Sequence, residues 1–159
     1  MSKPITVAIQ LRPLRLRPLT LAKFFYQKGT ASHLFIQKLI YFAFLDGLQD
    51  NLLLFSEKFQ AWKHGPVLVS VFKKMTSCAD LDQMFQLVPN LSNSTAISIL
   101  ENTYQEYQNW EVWDLVDKSH QGPWEKARIN LDPEDTSTKE LDLEELIEFA
   151  NGLRPINKS

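Results

Sequence analysis

The stretch from Leu34 to Leu48 reads Leu-Phe-Ile-Gln-Lys-Leu-Ile-Tyr-Phe-Ala-Phe-Leu-Asp-Gly-Leu. At helical spacing Phe35, Leu39, Phe42 and Leu45 share one stripe, and Ile36, Ile40, Ala43 and Phe44 fill much of the remaining circumference. Gln37 and Lys38 leave only a narrow polar strip near the start. A helix apolar on most sides has to be covered on most sides, so the rest of the chain must wrap it. The stretch is shorter than the roughly 20 residues that cross a bilayer, and Lys38 and Asp46 interrupt it. It is therefore read as the central helix of a soluble, mainly α domain.

The flanking sequence supplies the covering elements. Thr20 suits the N-cap of a helix through Leu21, Phe24 and Phe25, with Gly29 where a C-terminal cap belongs. Thr30 or Ser32 then caps the central helix, and His33 sits in its first turn. Leu52-Leu53-Leu54-Phe55 and Phe59-Gln60-Ala61-Trp62 flank Ser56-Glu57-Lys58, a pattern that predicts a small β-hairpin. Pro66 is placed at a first helical position, where its missing N–H costs nothing, ahead of Val67, Leu68, Val71, Phe72 and Met75. A short helix precedes Pro89. Ser94 or Thr95 caps a helix through Ile97, Leu100, Tyr104 and Tyr107, and Trp110 to Ser119 continues helically with Val112, Trp113, Leu115 and Val116 apolar. A short helix to Ile129, a surface loop over 130–138 and an amphipathic helix through Leu141, Leu143, Leu146, Ile147 and Phe149 close the chain, with Gly152 and Pro155 as the stop.

Charge is unevenly spread. Residues 1–45 hold seven basic residues and no Asp or Glu, while the remainder carries a net charge of −9. Ile5, Val7, Ile9 and Leu11 alternate with polar or small residues, as an edge strand would. Past Pro13, Leu14 and Leu16 take one face and Arg15 and Arg17 the other. Pro13 and Pro18 cannot donate to a ladder, which confines this segment to a sheet edge or an extended arm. Arg12, Arg15 and Arg17 make the arm a candidate for binding an acidic partner or nucleic acid; equally, it can lie back on the domain and neutralise its acidic end.

The 159 residues suffice for one domain with a sizeable core. Cys78 is the single cysteine, so no internal disulfide forms, which fits a reducing compartment. No signal peptide or membrane segment is evident, and a cytoplasmic location is expected. His33, His64, His120 and Cys78 lie too far apart in sequence for the close paired spacing of structural zinc sites. No Gly-rich phosphate loop, Gly-x-Ser-x-Gly elbow or His-Glu-x-x-His occurs. The chemistry thus points to a binding protein rather than an enzyme, with no catalytic residue, metal or cofactor. The informative loops are two corners, His64-Gly65-Pro66 and His120-Gln121-Gly122-Pro123. Each puts a histidine ahead of a glycine–proline step, with Trp62 or Trp124 close by. Trp fills core volume at such a corner, and Trp with His at a rigid turn also makes an interaction hot spot.

Lys38-Leu39-Ile40-Tyr41-Phe42-Ala43, then Phe59-Gln60-Ala61-Trp62-Lys63-His64-Gly65-Pro66-Val67, then Ser119-His120 with Pro123-Trp124, resembles the SocA-like family, also called Panacea-domain proteins. Order and spacing match over about residues 20–130. The sequence departs from the family in its N-terminal arm and at Leu68-Val69-Ser70-Val71-Phe72, where many members carry another proline and a tyrosine. The resemblance implies a mainly helical antitoxin, half of a bacterial toxin–antitoxin pair common on prophages and other mobile elements. It implies direct binding of a cognate toxin and, in some members, delivery of that toxin to a cytoplasmic protease. The expected organisation is a basic arm over residues 1–19, a helical domain over 20–152 and a tail over 153–159. Trp62, His64, Pro66, His120 and Trp124, with Arg12, Arg15 and Arg17, are the candidate partner-binding residues. The alternative function is a nucleic-acid-binding regulator that works through the arm.

Overall fold

The computed structural model describes residues 10–153. The predicted alternation at Ile5, Val7 and Ile9, and most of the predicted tail with Pro155, lie outside the described residues. The architecture is mainly α. In chain order it runs β1 (Arg12–Pro13), α1 (Pro18–Tyr26), α2 (His33–Gln49), β2 (Leu52–Leu53), β3 (Gln60–Trp62), β4 (Gly65–Val67), α3 (Val69–Ser77), α4 (Leu81–Gln86), α5 (Ser94–Tyr107), α6 (Val112–Ser119), α7 (Pro123–Ala127) and α8 (Leu143–Gly152).

The central helix is α2. Ser32 caps it, its Oγ accepting from the Phe35 N–H at 3.2 Å. From Ile36 to Leu45 every residue is buried, and α1, α3, α5, α6 and α8 all pack against it. Burying each of its large apolar side chains contributes roughly 1.5–3 kcal/mol, so the helix anchors the core. Tyr41, Phe44, Phe55 and Phe59 form a ring cluster with centroids 4.9–5.8 Å apart. Gln37 and Lys38, read from sequence as a polar strip, are fully buried. The strip fails because the strand pair β3–β4 and the start of α3 cover it, with backbone carbonyls and an N–H as partners.

The predicted hairpin exists but in another register. β3 pairs antiparallel with β4, Gln60 opposite Val67 and Trp62 opposite Gly65, leaving Lys63 and His64 as a two-residue turn. Pro66 is therefore a strand residue, and α3 starts at Val69. Proline fits here for the reason that it fits a helix start: no N–H of its own is called on. Leu52–Leu53 pairs not with β3 but in parallel with β1, Arg12 opposite Leu52. The N–H groups of Arg12, Leu14 and Leu16 donate to the carbonyls of Asn51, Leu53 and Leu54 at 2.8–2.9 Å. Leu11, Leu14 and Leu16 pack on the core, while Arg12, Arg15 and Arg17 are exposed. The arm thus lies back on the domain over residues 10–17. Its residues 12, 14 and 16 donate inward, so Pro13 occupies the outer edge and offers no N–H for further pairing.

Smaller differences have local causes. Helix α1 begins at Pro18 rather than after Thr20, which is buried; proline at the first helical turn supersedes the threonine cap. Asn93 caps α5, its side chain accepting from the Ala96 N–H at 2.9 Å. Residues 108–111 break the chain between α5 and α6, so the helix expected from Trp110 starts at Val112. The segment before α8 joins the sheet: Ala61 N–H donates to Lys139 O, and Leu141 N–H to Phe59 O, both at 2.8 Å. No helix among the described residues is long and apolar enough to cross a membrane.

Candidate functional site at the two corners

The two His-Gly-Pro-like corners meet. Trp124, on α7, donates its Nε1–H to the Trp62 carbonyl at 2.7 Å, across 62 residues of sequence. The His120 ring lies flat on the Trp124 ring, with centroids 3.8 Å apart and an interplanar angle of 2°. Trp62 packs edge-on against Phe72 at 4.8 Å, and its Nε1–H donates to Gln60 Oε1. His64, at the tip of the turn, is exposed and meets the Trp113 ring edge-on at 5.2 Å. Pro66 is buried, and Trp62, His120 and Trp124 are half-buried. Of the five corner residues, His64 alone is exposed.

Beneath the corners stands Lys38. Its Nζ donates to the Pro66 carbonyl at 3.0 Å. Burial lowers its pKa to about 7, because a charged amine is poorly solvated there. The neighbouring Gln37 makes a paired contact with Leu68, donating through Nε2 to its carbonyl and accepting its N–H through Oε1, both at 2.9 Å. Two consecutive polar residues of α2 thus terminate β4 and start α3. Burial also lowers the His120 pKa, with Lys38 as a second cause, and its Nε2 is buried without a hydrogen-bond partner among the described residues.

Gly65 shows why the corner needs glycine. Its φ is +112°, and a Cβ there would run into Ser119 Oγ and stand 2.9 Å from Lys38 Nζ. Ser119 is itself buried, donating to Val116 O at 2.7 Å. The second corner has an equivalent requirement: Gly122 has φ +62°, and a Cβ would lie 2.5 Å from the Phe149 ring. The Gly122 N–H donates to Glu125 Oε1 at 3.0 Å, which closes the first turn of α7.

Arg128 completes the assembly. It is buried; Nη1 donates to Ala61 O at 2.9 Å and Nη2 to Asp135 O at 2.7 Å, and its guanidinium lies 5.3 Å from the Trp124 ring. One cation therefore ties β3, α7 and the loop over 130–138 together. Sequence reasoning did not place Lys38, Gln37, Ser119 or Arg128 in the site, although Lys38 and Ser119 stand in the motif that carries the family resemblance. Lys38 and Gln37 had a usable signal, since they are flanked on all helical sides by apolar residues. Arg128 had none, because its partners are carbonyls.

Arg12, Arg15 and Arg17 are not brought to the corners. Among the described residues no hydrogen bond or ion pair joins their side chains to Trp62, His64, Pro66, His120 or Trp124. Nor does any group of three or more His, Cys, Asp or Glu converge to hold a metal ion among the described residues. Buried polar groups fix the two turns, and one turn presents an exposed His64 beside Trp113.

A family model described as antitoxin SocA-like, Panacea domain, matches residues 36–125. The match contains both corners and Lys38 and leaves out the strapped arm and α8. No curated protein and no solved structure matches.

Proposed function

The chain belongs to the family of SocA-like antitoxins with a Panacea domain, and on that premise we propose that it neutralises a partner toxin by direct protein–protein binding. The family match over residues 36–125 is the observation that carries this reading. The fold supports a steric mechanism. A core fixed by α2 and two locked corners holds its outer surface in one conformation, so little ordering entropy is lost when a partner docks. Such a surface acts by covering the toxin's working site or by ordering a segment that the toxin needs mobile. The protein itself performs no reaction in this reading. Delivery of the bound toxin to a cytoplasmic protease would use the same encounter.

At the corners, His64 and the edge of Trp62 would meet the partner, while Pro66, His120 and Trp124 hold the turns in place. Arg12, Arg15 and Arg17 stand exposed on the strapped arm and would extend the contact by charge rather than by strand addition, given the proline at its outer edge. The test is growth rescue. The product of the adjacent open reading frame is induced in a bacterial host with and without this protein. Arrest relieved by this protein, with copurification of the two, is expected. Arrest that persists refutes neutralisation; relief without copurification refutes direct binding.

A second reading rests on the same exposed arginines: a regulator that contacts nucleic acid through the arm. Three phosphate contacts would give a log–log salt slope of roughly −3 on duplex DNA. A salt titration of DNA binding that shows no such slope rejects it.

A further inference from the structure

Two of the chain's four tryptophans do no work in the core. Trp110 is 40% exposed and Trp113 55%. The indole N–H groups of Trp62 and Trp124 are used inside the molecule; those of Trp110 and Trp113 make no hydrogen bond among the described residues. Trp110 lies just before α6, packed edge-on against Tyr107 at 5.0 Å, and Trp113 follows in the first turn. Together with Asn109, Glu111, Asp114 and Asp117, Trp110 lines an open groove of about 470 Å³.

The groove has one sign of charge. Glu111, Asp114 and Asp117 form no ion pair among the described residues. The nearby cation, Lys118, is turned inward over the rings of Phe42, Tyr107 and Trp110, 5.9 Å from each. Helix stability accounts for Asp114, which lies in the first turn of α6 and complements its dipole. It does not account for Asp117, which sits two residues from the C-terminal end, where a carboxylate is unfavourable. Exposed indoles beside carboxylates that form no ion pair suit cations: an indole face not already covered by Lys118 accepts a guanidinium or ammonium, and the carboxylates accept its hydrogen bonds.

We propose that the exposed surface at the start of α6, Trp110 and Trp113 with Glu111, Asp114 and Asp117, is a docking surface for a basic segment of the protein partner. The sign of the groove argues against a nucleic-acid backbone at this place. The His64–Trp113 contact joins the surface to the β3–β4 corner, and the whole of it falls inside the family-matched residues, unlike the arm. The inference rests on the antitoxin reading for the identity of the partner but not for the chemistry of the surface.

The test uses a defined probe, a hexa-arginine peptide, titrated into the full chain while the four indole N–H signals are followed by NMR. The signals of Trp110 and Trp113 are expected to shift and those of Trp62 and Trp124 to stay, with a hexa-glutamate peptide shifting none. Asp114→Lys with Asp117→Lys should weaken hexa-arginine binding at least tenfold, whereas Glu144→Lys with Glu148→Lys, on α8, should leave it unchanged. Should the reversal variant not fold, Asp114→Asn with Asp117→Asn gives the same readout at nearly constant volume. Signals that do not move, that all move alike, or that move equally in the α6 variants overturn the proposal. Because the probe is not the toxin, that outcome leaves the growth-rescue result standing, and a failed rescue does not mimic it.

Discussion

Replacing Lys38 with methionine should change how stability depends on pH more than it changes stability itself. The native amine is fully buried on one carbonyl, and its pKa falls from 10.5 to about 7. Below about pH 7 the group is protonated in both states, and the folded protein bears the full cost of a buried charge. Between about 7 and 10.5 the unfolded chain still holds a proton that the native chain has released. Stability therefore rises with pH across that window, by about 1.4 kcal/mol per pH unit, and by about 2–3 kcal/mol between pH 7 and 9. Methionine keeps the unbranched apolar stem and does not titrate. At pH 6.5 it relieves the charge but leaves the Pro66 carbonyl without its donor, a loss of about 1–3 kcal/mol, so the two proteins should lie close together. By pH 9 the wild type should lead by about 2–3 kcal/mol. Urea unfolding followed by tryptophan fluorescence at pH 6.5, 7.5, 8.25 and 9 measures this directly. Burial, and then the Lys38 charge, lower the pKa of His33 and His120; removing Lys38 lifts the second cause in both, so their contribution falls below the window and the comparison is read from pH 7.5 upward. Parallel stability profiles for the wild type and Lys38→Met would show that Lys38 keeps its proton through the window, and the account of the corner would fall with it.

Gly65→Ala should cost about 2–4 kcal/mol, from the positive φ and the encounter with Ser119 and Lys38, whereas Gly152→Ala, with nothing near its Cβ position, should stay within about 0.5 kcal/mol; thermal melts distinguish them. Trp124→Phe preserves a ring to stack on His120 but removes the donor to Trp62 O, so the denaturation midpoint should fall by about 1 kcal/mol equivalent with an unchanged m-value. Deleting residues 1–18 removes the strap hydrogen bonds of Arg12, Leu14 and Leu16, the Arg17 carbonyl that accepts from Thr20 and Leu21 at the start of α1, and the packing of Leu11, Leu14 and Leu16, and should destabilise by about 3 kcal/mol in chemical denaturation. Alanine at Arg12, Arg15 and Arg17 leaves that strap in place; it should hold stability within about 0.5 kcal/mol and lower partner affinity, as read by titration calorimetry with the copurifying partner.

Local pattern made the helices legible. The all-round apolar character of residues 34–48 pointed to the buried α2, and Gly122-Pro123 marked the start of α7 correctly. What stayed hidden was non-local. Leu52-Leu53 looks like a hairpin arm because a second apolar run follows soon after; its true partner is Arg12–Pro13, some forty residues upstream. Pro66 reads as a helix start because a missing N–H is tolerated there and in this strand alike. Trp113 reads as one of the apolar residues of α6, yet the core side of that helix is Leu115, Val116 and Ser119. Of the candidate site, the two corners were visible as motifs. That they touch, and that Lys38 lies under them, depends on contacts 28 to 62 residues apart, which spacing along the chain does not encode.

The double stitching of β1 to β2 and of residues 139–141 to β3 has a consequence for how the protein is made. Strand β3 gains its outer partner only when Glu140 has been synthesised, some eighty residues after Gln60. Helix α2 gains its α8 cover later still. A ribosome adding about 5–20 residues per second therefore leaves the most apolar helix partly bare for several seconds, until almost the whole chain has emerged. During that interval the nascent polypeptide offers chaperones and proteases a greasy surface that the finished molecule conceals. Residues 139–152 thus complete the fold: a chain lacking them would carry the residues of both corners without the α8 cover of α2 or the Phe149 ring that faces Gly122.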